Sequence, residues 1–275
     1  MLSNIHLVAQ AAKQLGITPE QLASSSDNLL KVGNLLFSNR STPFNSESIA
    51  YIYRDKSYTY QILENIVPIP ETFTYLDPYV DSEYQSYIVH SNYLDISADI
   101  SKKLQLPVVI KKNRGSFADN VFLASSKKEI LEAITTIFNQ KSKIYDYIAL
   151  AQEYIKGRGE YRAIVADNSL ELVYKKQSVD ETGSNNKLNP RYWTGSKAIH
   201  IDTSSNVFRD IERVVKKITS VLSLQWAGID LIWGEQEWVV IEINSMPNFD
   251  FFIKTNDEQL VIDIYKKMIT KYLNN

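Results

Sequence analysis

The amino-acid sequence predicts an α+β protein whose helices and strands fall into two mixed groups. Patterns typical of helices and of strands both occur along the 275 residues, without the strict alternation of a parallel α/β sheet. The composition, with 44% hydrophobic and 23% charged residues, is sufficient for a sizeable apolar core. Neither GxGxxG nor GxxxxGKS/T is present, so nothing supports a Rossmann dinucleotide site or a P-loop.

Charge and cysteine content exclude several classes of function. The net charge is −2 and no basic tract is present, so we do not expect nucleic acid as a partner. The sequence has no cysteine, which excludes disulfides, thiol catalysis and thiolate metal ligands and fits a reducing compartment. The first residues lack signal-peptide features, and no apolar run reaches the length of a membrane span. We therefore expect a cytoplasmic protein without a membrane partner.

The first 54 residues predict a lead-in that is too short to be an independent domain. Its predicted elements are a helix over 4–15 that Gly16 ends, a second helix capped at Thr18 with Pro19 at its first position, and short strands over 32–40 and 48–53. A tyrosine- and acid-rich stretch over 75–93 carries little pattern.

The next group of elements lies between residues 55 and 153. It comprises predicted helices over 57–65, 97–104 and 126–138, and predicted strands over 106–112, 121–124 and 148–155. The helix over 126–138 is the clearest, because Ser126 and Glu129 form a capping box ahead of an apolar stripe. The strand over 106–112 ends in two lysines and leads into a turn-rich loop.

The last group lies between residues 154 and 275. Its predicted elements are a hairpin over 161–166 and 170–176, a polar loop over 177–197, and helices over 208–222 and 257–272. Between those two helices, residues 228–249 predict another pair of strands, and the functional argument begins there.

Two carboxylates interrupt these otherwise apolar strands. Asp230 and Glu242 lie in runs that read as buried, and an isolated carboxylate in an apolar sheet is costly unless something neutralises it. Because side chains alternate along a strand, Glu242 and Asn244 share one face. Three oxygen-bearing side chains on one face indicate a hard divalent cation such as Mg²⁺. The alternative at this point is an ordinary hairpin whose polar residues face water.

The metal hypothesis sets a condition on strand pairing. Asp230 shares the face of Glu242 and Asn244 only if the residue numbers in each cross-strand pair add to an even value. We therefore predict an odd-numbered loop or a β-bulge, with Asp230 opposite Val240 and diagonal to Glu242.

Four ordered segments resemble the ATP-grasp carboxylate–amine ligases. They are PVVIKKNRGS, ALAQEYIKGRGEYRAIV, LVYKKQ and AGIDLIWGEQEWVVIEINSMPNF, and the likeness runs from Lys56 to about Phe252. The likeness is to the branch that holds the ribosomal-protein glutamate ligase, cyanophycin synthetase and glutathione synthetase. It implies an ATP-grasp fold, in which α+β subdomains at 55–153 and 154–275 sandwich ATP after a shortened lead-in at 1–54.

The resemblance implies which residues bind the phosphates of ATP. Lys56 and Lys111 look like the two phosphate-binding lysines, since an ammonium is a compact cation suited to this task. Ser116 lies in the segment that resembles the phosphate loop. Lys112 points the other way along its strand, and we expect it to be a solvated surface lysine.

The adenine and ribose contacts also follow from the resemblance. Glu153, Tyr154 and Ile155 look like the hinge strand whose backbone meets the adenine edge. Glu160 resembles the acid that accepts hydrogen bonds from the ribose hydroxyls, although taken alone it is better interpreted as a loop charge.

The same resemblance assigns the metal and the catalytic groups. Asp230, Glu242 and Asn244 resemble the Mg²⁺ ligands, with Glu242 able to bridge two ions and Mn²⁺ as an alternative metal. Arg162 and Lys176 look like contacts to the phosphate and the acyl phosphate. Lys176 stands where this branch carries arginine, which keeps the charge and loses the bidentate fork.

Substrate contacts are expected in the polar loop. Arg191 lies there and is our candidate for binding a substrate carboxylate, with a solvated arginine as the alternative. Tyr192 and Trp193 beside it suit a peptide. The resemblance thus implies an amino-acid or peptide substrate.

Two features depart from the family pattern. The phosphate loop of the family is glycine-rich, whereas here it has Gly115 alone, and Asp119 would be repelled by phosphates if it pointed inward. This leaves catalytic competence open. The shortened lead-in indicates that an extended peptide, a partner protein or a second copy of the chain completes the acceptor site.

The sequence therefore predicts an ATP- and Mg²⁺-dependent ligase. It would join a carboxylate to an amine through an acyl phosphate and release ADP and phosphate. One rival is a non-catalytic ATP-binding relic with a regulatory or assembly role. Another is a kinase that phosphorylates a hydroxyl at the same ATP site.

Overall fold

The computed structural model describes residues 4–22, 28–115, 121–143, 145–177 and 197–274. Within these ranges the helices are α1 (Ile5–Gln14), α2 (Glu47–Arg54), α3 (Lys56–Leu63), α4 (Tyr93–Lys103), α5 (Lys127–Ile137), α6 (Asn206–Thr219), α7 (Asp250–Ile253) and α8 (Gln259–Leu273). The strands are β1 (Glu20–Gln21), β2 (Leu29–Val32), β3 (Leu35–Ser38), β4 (Thr72–Leu76), β5 (Val108–Lys112), β6 (Val121–Ala124), β7 (Ile148–Glu153), β8 (Glu160–Ala166), β9 (Ser169–Gln177), β10 (Lys197–Ile201), β11 (Trp226–Trp233) and β12 (Trp238–Asn244). No helix in these ranges combines the length and the apolar character that crossing a bilayer requires.

The lead-in differs from its prediction at three places, of which one is β2, an unpredicted strand that pairs with β3 inside the predicted strand over 32–40. No helix begins at Thr18, because the chain stays extended and Gln21 pairs with Leu30 of β2. Residues 48–53, predicted as a strand, lie inside α2, where Ser46 accepts a hydrogen bond from the Ile49 amide at 3.4 Å. A short apolar run does not by itself distinguish a strand from a helix.

The four-stranded sheet has the order β4-β7-β5-β6, and all of its pairs are antiparallel. Helices α4 and α5 share its apolar core. The predicted cap of α5 is confirmed: Ser126 Oγ accepts from the Glu129 amide at 3.3 Å. The Glu129 carboxylate reaches back to the amide of Ser125, at 2.6 Å, rather than to that of Ser126.

The five-stranded sheet has the order β10-β9-β8-β11-β12 and is also antiparallel. The predicted β8–β9 hairpin is confirmed, and its two-residue turn places Asp167 and Asn168 at φ 52° and 60°, as the right-handed twist of hairpins favours. Strand β10 was not predicted, because its five residues are too few to give a clear periodic pattern.

Both faces of the five-stranded sheet are covered by apolar cores. On one face, the lead-in and α8 pack together with residues such as Ile164, Tyr174 and Trp226. On the other, α2, α3 and α6 pack with residues such as Ala163 and Ile229. The division of the chain at residues 54 and 153 remains a prediction, although the first 54 residues plainly share their cores with this sheet.

Phe44 and Asn45 are among the residues that hold the lead-in to the sheet. Phe44 is 2% exposed, and its ring centroid lies 5.4 Å from that of Trp226 and 5.1 Å from that of Tyr272. Asn45 donates to the Trp226 carbonyl at 2.8 Å and accepts from the Trp226 amide at 3.1 Å. These contacts join the lead-in to the first residue of β11.

We predict that Phe44→Ala lowers the free energy of unfolding by about 3–5 kcal/mol, because it removes a fully packed aromatic side chain. The measurement is urea denaturation followed by tryptophan fluorescence. Leu36→Ala in the same lead-in is the control, since Leu36 is 54% exposed and its loss should change stability by no more than about 0.5 kcal/mol. Equal effects of the two substitutions would contradict the docking described above.

Candidate active site

Six polar side chains lie on the lead-in face of the five-stranded sheet, beyond the apolar core. Strand register aligns them: Arg162 of β8 is opposite Asp230 of β11, and Asp230 is opposite Glu242 of β12. The remaining three are Glu160, Lys176 and Asn244, of which Glu160 and Lys176 pair directly and Asn244 is opposite Gly228. Because directly paired residues point to the same face, all six side chains share it.

The predicted condition on pairing is met by a β-bulge. Near the turn, Trp233 pairs with Trp238 and four residues form the connection, so the turn alone gives an odd sum. The register shifts between Asp230 and Leu231, and from there on the sum is even. The shared face is therefore confirmed. The predicted pairing of Asp230 with Val240 is wrong: Leu231 pairs with Val240, and Asp230 lies opposite Glu242 itself.

Asp230 is the most strongly paired carboxylate of the site. Arg162 donates to it with two nitrogens, Nε to Oδ1 and Nη2 to Oδ2, both at 2.7 Å. Lys176 Nζ lies 2.9 Å from Oδ1. Burial would raise the pKa of Asp230, but the two cations outweigh it and lower this pKa to about 2. The carboxylate is therefore charged, and both of its oxygens face cations.

Glu160 and Lys176 form a second ion pair beside the first. Their side chains hydrogen-bond directly, and Lys176 is only 5% exposed in its side chain. Lys176 thus bridges Glu160 and Asp230. Both residues lie in the predicted site. The contact that the structure shows for Glu160 is with Lys176, so its role in binding the ribose hydroxyls stays a prediction.

The side chains of the other two predicted metal ligands, Glu242 and Asn244, make fewer polar contacts than that of Asp230. Glu242 lies 3.6 Å from the Lys56 ammonium, and the Asn244 side chain makes no hydrogen bond with any residue the structure describes. Opposite Asn244, a Cβ at Gly228 would lie 3.1 Å from Pro247 Cβ, so the glycine admits the loop that follows β12. No group of three or more His, Cys, Asp or Glu side chains in the described residues is arranged to hold a metal ion, so the metal hypothesis rests on two carboxylates together with the Asn244 amide oxygen.

Lys111 reaches the site from the four-stranded sheet. Its ammonium is buried and donates to the Tyr60 hydroxyl at 2.7 Å, and Tyr60 donates to the carbonyl of Ile241 at 2.5 Å. Ile241 is the extra residue of the bulge, so Tyr60 satisfies a carbonyl beside it. Burial lowers the pKa of Lys111 to about 8, although the nearby Glu242 and Asp230 oppose this shift.

Lys56, at the start of α3, is the second lysine predicted to bind phosphate. Besides Glu242, it reaches the carbonyls of Asn113 and Gly115, at 3.3 and 3.2 Å. Counting the described residues, four cations face three carboxylates: Lys56, Lys111, Arg162 and Lys176 against Glu160, Asp230 and Glu242. The positive excess suits a polyanion.

The expectation that Lys112 is solvated is wrong. Its side chain does leave the opposite face of β5 from Lys111, but the residue is only 9% exposed. It folds over the turn that follows the strand, and a Cβ at Gly115 would lie 2.1 Å from its Cε. The lysine stem therefore packs closely against the backbone at Gly115, and a larger residue there would require the flexible end of Lys112 to move.

The predicted hinge lies at the link between the two sheets. Glu153 ends β7, and its carboxylate accepts from the Glu71 amide at 3.3 Å. Tyr154 is 36% exposed and Ile155 is partly buried. Nothing in these contacts assigns the three residues to adenine, so that role stays a prediction. Ser116 and Arg191, with Asp119, Tyr192 and Trp193, lie outside the described residues.

Sequence reasoning missed several residues that surround Lys56. Asp55 caps α3 by accepting from the Tyr58 amide at 3.1 Å, and Arg114 donates to it from the far sheet at 3.0 Å. Tyr60 and Asn113 complete this set. An Asp one residue before a helix is a cap signal that the sequence displays, whereas the partner of that Asp across the sheets is a tertiary feature.

Comparison with known proteins identifies the family. Residues 82–272, which are 191 of the 275 residues, match the RimK-like ATP-grasp domain. A probable alpha-L-glutamate ligase of Pasteurella multocida is 24% identical over 172 residues, covering 62% of this chain and 50% of that protein. The chain spans about half the length of the curated relatives it matches first.

Solved structures agree on the fold. A bifunctional glutathione synthetase from Pasteurella multocida has a TM-score of 0.59 at 14% identity, covering 98% of this chain and 44% of its own. A D-alanine–D-alanine ligase from Bacillus anthracis complexed with ATP has a TM-score of 0.56 at 17% identity, covering 80% and 65%. The resemblance inferred from the four motifs and the α+β ATP-grasp fold are confirmed, and the chain belongs to the RimK-like ATP-grasp domain family.

Proposed function

We propose that this protein is an ATP- and Mg²⁺-dependent ligase that joins a carboxylate to an amine through an acyl phosphate and releases ADP and phosphate. The observation that carries the proposal is the in-register row Arg162–Asp230–Glu242, faced by Lys56 and Lys111 from the other side. Family membership supports the ligase class, and the row supports ATP as the phosphoryl donor.

The donor set fits Mg²⁺. Asp230, Glu242 and Asn244 supply two carboxylates and one amide oxygen from neighbouring positions on one sheet face, and Mg²⁺ prefers such hard oxygen ligands. When bound, the ion would neutralise charge on the triphosphate. The open side chain of Asn244 and the partly exposed Glu242 are the ligands that need no rearrangement.

The chain's own cations provide the rest of the charge neutralisation. In the first step, a carboxylate oxygen bonds to the γ-phosphorus while the bond from that phosphorus to the β–γ bridging oxygen breaks, and ADP leaves. In the second, the amine bonds to the acyl carbon, loses a proton, and the acyl–oxygen bond breaks to release phosphate. Lys56 and Lys111 hold the phosphates, and Arg162 and Lys176 stabilise the transferring group. Positioning and charge do this work without a covalent helper.

Arg162 and Lys176 must change partners before they can act. Both side chains contact Asp230 in this structure, Arg162 at 2.7 Å and Lys176 at 2.9 Å. A triphosphate carries more negative charge than one carboxylate and attracts both cations. Their transfer would release the Asp230 oxygens to the metal, so nucleotide and metal binding assist each other.

The substrates follow from the relatives. Curated relatives are named alpha-L-glutamate ligase and D-alanine–D-alanine ligase, at 24–27% identity. Amino acids or short peptides are therefore the substrate class we propose for this chain, both as the carboxylate and as the amine. Arg191, Tyr192 and Trp193 remain our candidates for contacting them.

The test of the function is ADP release from Mg²⁺-ATP, assayed against pooled amino acids and peptides. We expect ADP formation that requires both a carboxylate and an amine, and a loss of roughly 100-fold or more in Glu242→Gln, because a ligand of the charge-neutralising Mg²⁺ ion is weakened. Tight ATP binding without turnover would favour the ATP-binding relic. A stable phosphorylated product formed without an amine would favour the kinase.

A metal-binding prediction follows from the ion pairs of Asp230. Mn²⁺ affinity, measured by electron paramagnetic resonance, should rise roughly tenfold when ADP is added, the usual scale of coupling between two ligands. In Arg162→Gln, the affinity without nucleotide should rise, because one cation no longer competes for Asp230. Mn²⁺ that binds equally well with and without ADP would contradict the exchange. Arg209→Gln, an exposed residue in the first turn of α6, is the control.

The lowered pKa of Lys111 predicts a pH dependence. The charged lysine binds phosphate, and a folded pKa of about 8 means that this charge is lost as pH rises through 8. The kcat/KM for ATP, which reports the free enzyme, should therefore fall above pH 8. In Lys111→Arg the fall should disappear from this range, since a guanidinium stays protonated. A profile of the parent protein that is flat between pH 7 and 9.5 would contradict the role of Lys111.

A further inference from the structure

The root of the phosphate loop contains a polar connection between the two sheets. Residues 113–115 follow β5 of the four-stranded sheet, whereas α3 contributes to the core of the five-stranded sheet. Five side chains meet at this junction, and among them only Lys56 has a role in the proposed reaction so far. The others are Asp55, Asn113, Arg114 and Asp146.

Asp55 is the centre of this junction. It is 1% exposed, and its Oδ1 accepts from the Ser57 hydroxyl at 2.6 Å and from the Tyr58 amide at 3.1 Å. Its Oδ2 accepts from Arg114 Nε at 3.1 Å and Nη2 at 3.0 Å. A buried carboxylate with a two-pronged guanidinium partner has a narrowly defined geometry. Asp55 therefore ties the first turn of α3 to Arg114.

Arg114 is held from both of its ends. Its amide donates to Asp146 Oδ2 at 2.6 Å, and Asp146 Oδ1 accepts from the Ile148 amide at 3.0 Å, so the main chain is fixed to the start of β7. Its guanidinium lies 4.7 Å from the ring centroid of Tyr51 and donates to the Tyr51 hydroxyl. The side chain is thereby fixed to α2 and to the residue that caps α3.

The position of Lys56 depends on the same junction. Its ammonium donates to the carbonyls of Asn113 and Gly115, the residues on either side of Arg114. The Asn113 side chain accepts from the Ser57 amide at 2.9 Å. The residues before and after Lys56 thus contact the loop root as well, so a shift of Arg114 relative to Asp55 would displace the ammonium.

We propose that Arg114 is a positioning residue of the ATP site: by closing on Asp55, it holds the Lys56 ammonium and the start of the phosphate loop in a fixed relation. This inference rests on the proposed function. Gly115 is the single glycine of the predicted phosphate loop, and the contacts of Arg114 beside it fix the start of that loop. Arg114 touches Asp55 and Tyr51, and acts on phosphate through Lys56.

The first experiment measures the clamp without ATP. Amide hydrogen exchange should rise several-fold in the peptide over residues 55–60 of Arg114→Gln, because the cap and its partner loosen. Arg213→Gln is the matched control: it also removes an arginine–carboxylate pair, Arg213–Asp210 at 2.6 Å, but on the exposed face of α6. Exchange in 55–60 that matches the parent protein would overturn the inference, whatever the protein does with ATP.

The second experiment measures ATP affinity in a double-mutant cycle. Arg114→Gln should weaken Mg²⁺-ATP binding about tenfold, and Lys56→Gln plus Arg114→Gln should be no weaker than Lys56→Gln alone, as for residues that act through each other. Losses that multiply in the double variant would overturn the inference and leave the proposed function intact. A parent protein that binds no ATP would overturn the proposed function and the inference with it, even if exchange had risen.

Discussion

The ion pair between Arg162 and Asp230 is the interaction on which the site depends. Asp230 lies in an apolar strand, and a carboxylate buried there without partners would be neutral or would unfold the sheet. Two nitrogens of Arg162 at 2.7 Å and the ammonium of Lys176 at 2.9 Å keep it charged. A single buried charge thus organises two cations, and through Lys176 it also orients Glu160.

The antiparallel ladder explains why the site and the lead-in core share one sheet face. Residues opposite each other across β9, β8, β11 and β12 point the same way, so apolar pairs near Trp226 and polar pairs near Asp230 form adjacent halves of that face. The lead-in covers the apolar half and leaves the polar half to face Lys111 and Tyr60. The bulge next to Asp230 is essential here, because without it Glu242 would point into the opposite core.

Much of this could be predicted from sequence, for reasons that particular residues illustrate. Periodicity and a cap residue located α5, because Ser126 bonds to the first turn of its own helix. The β8–β9 hairpin was located by Asp167 and Asn168, which form its turn. The shared face of Asp230 and Glu242 followed from counting. The cross-strand partner of Asp230 could not be predicted in this way, because it depends on where the bulge lies. The carbonyl of the bulge residue Ile241 accepts a hydrogen bond from Tyr60, about 180 residues earlier in the chain.

The errors have the same origin in tertiary structure. Residues 48–53 are helical because the face they present packs against the five-stranded sheet, which a short apolar run does not reveal. Lys112 is buried because the turn at Gly115 folds back over its stem. In the sequence, Arg114 belongs to a loop that lacks the glycines typical of the family. In the structure, its side chain binds Asp55. The sequence locates these charged side chains, and tertiary contacts decide which groups neutralise them.

The most direct test is a structure determined with Mg²⁺ and ADP bound. The account predicts metal–oxygen distances of about 2.0–2.1 Å to Asp230, Glu242 and Asn244, with the Arg162 guanidinium moved from Asp230 to a phosphate. A metal bound elsewhere, with Arg162 still holding both oxygens of Asp230, would contradict it.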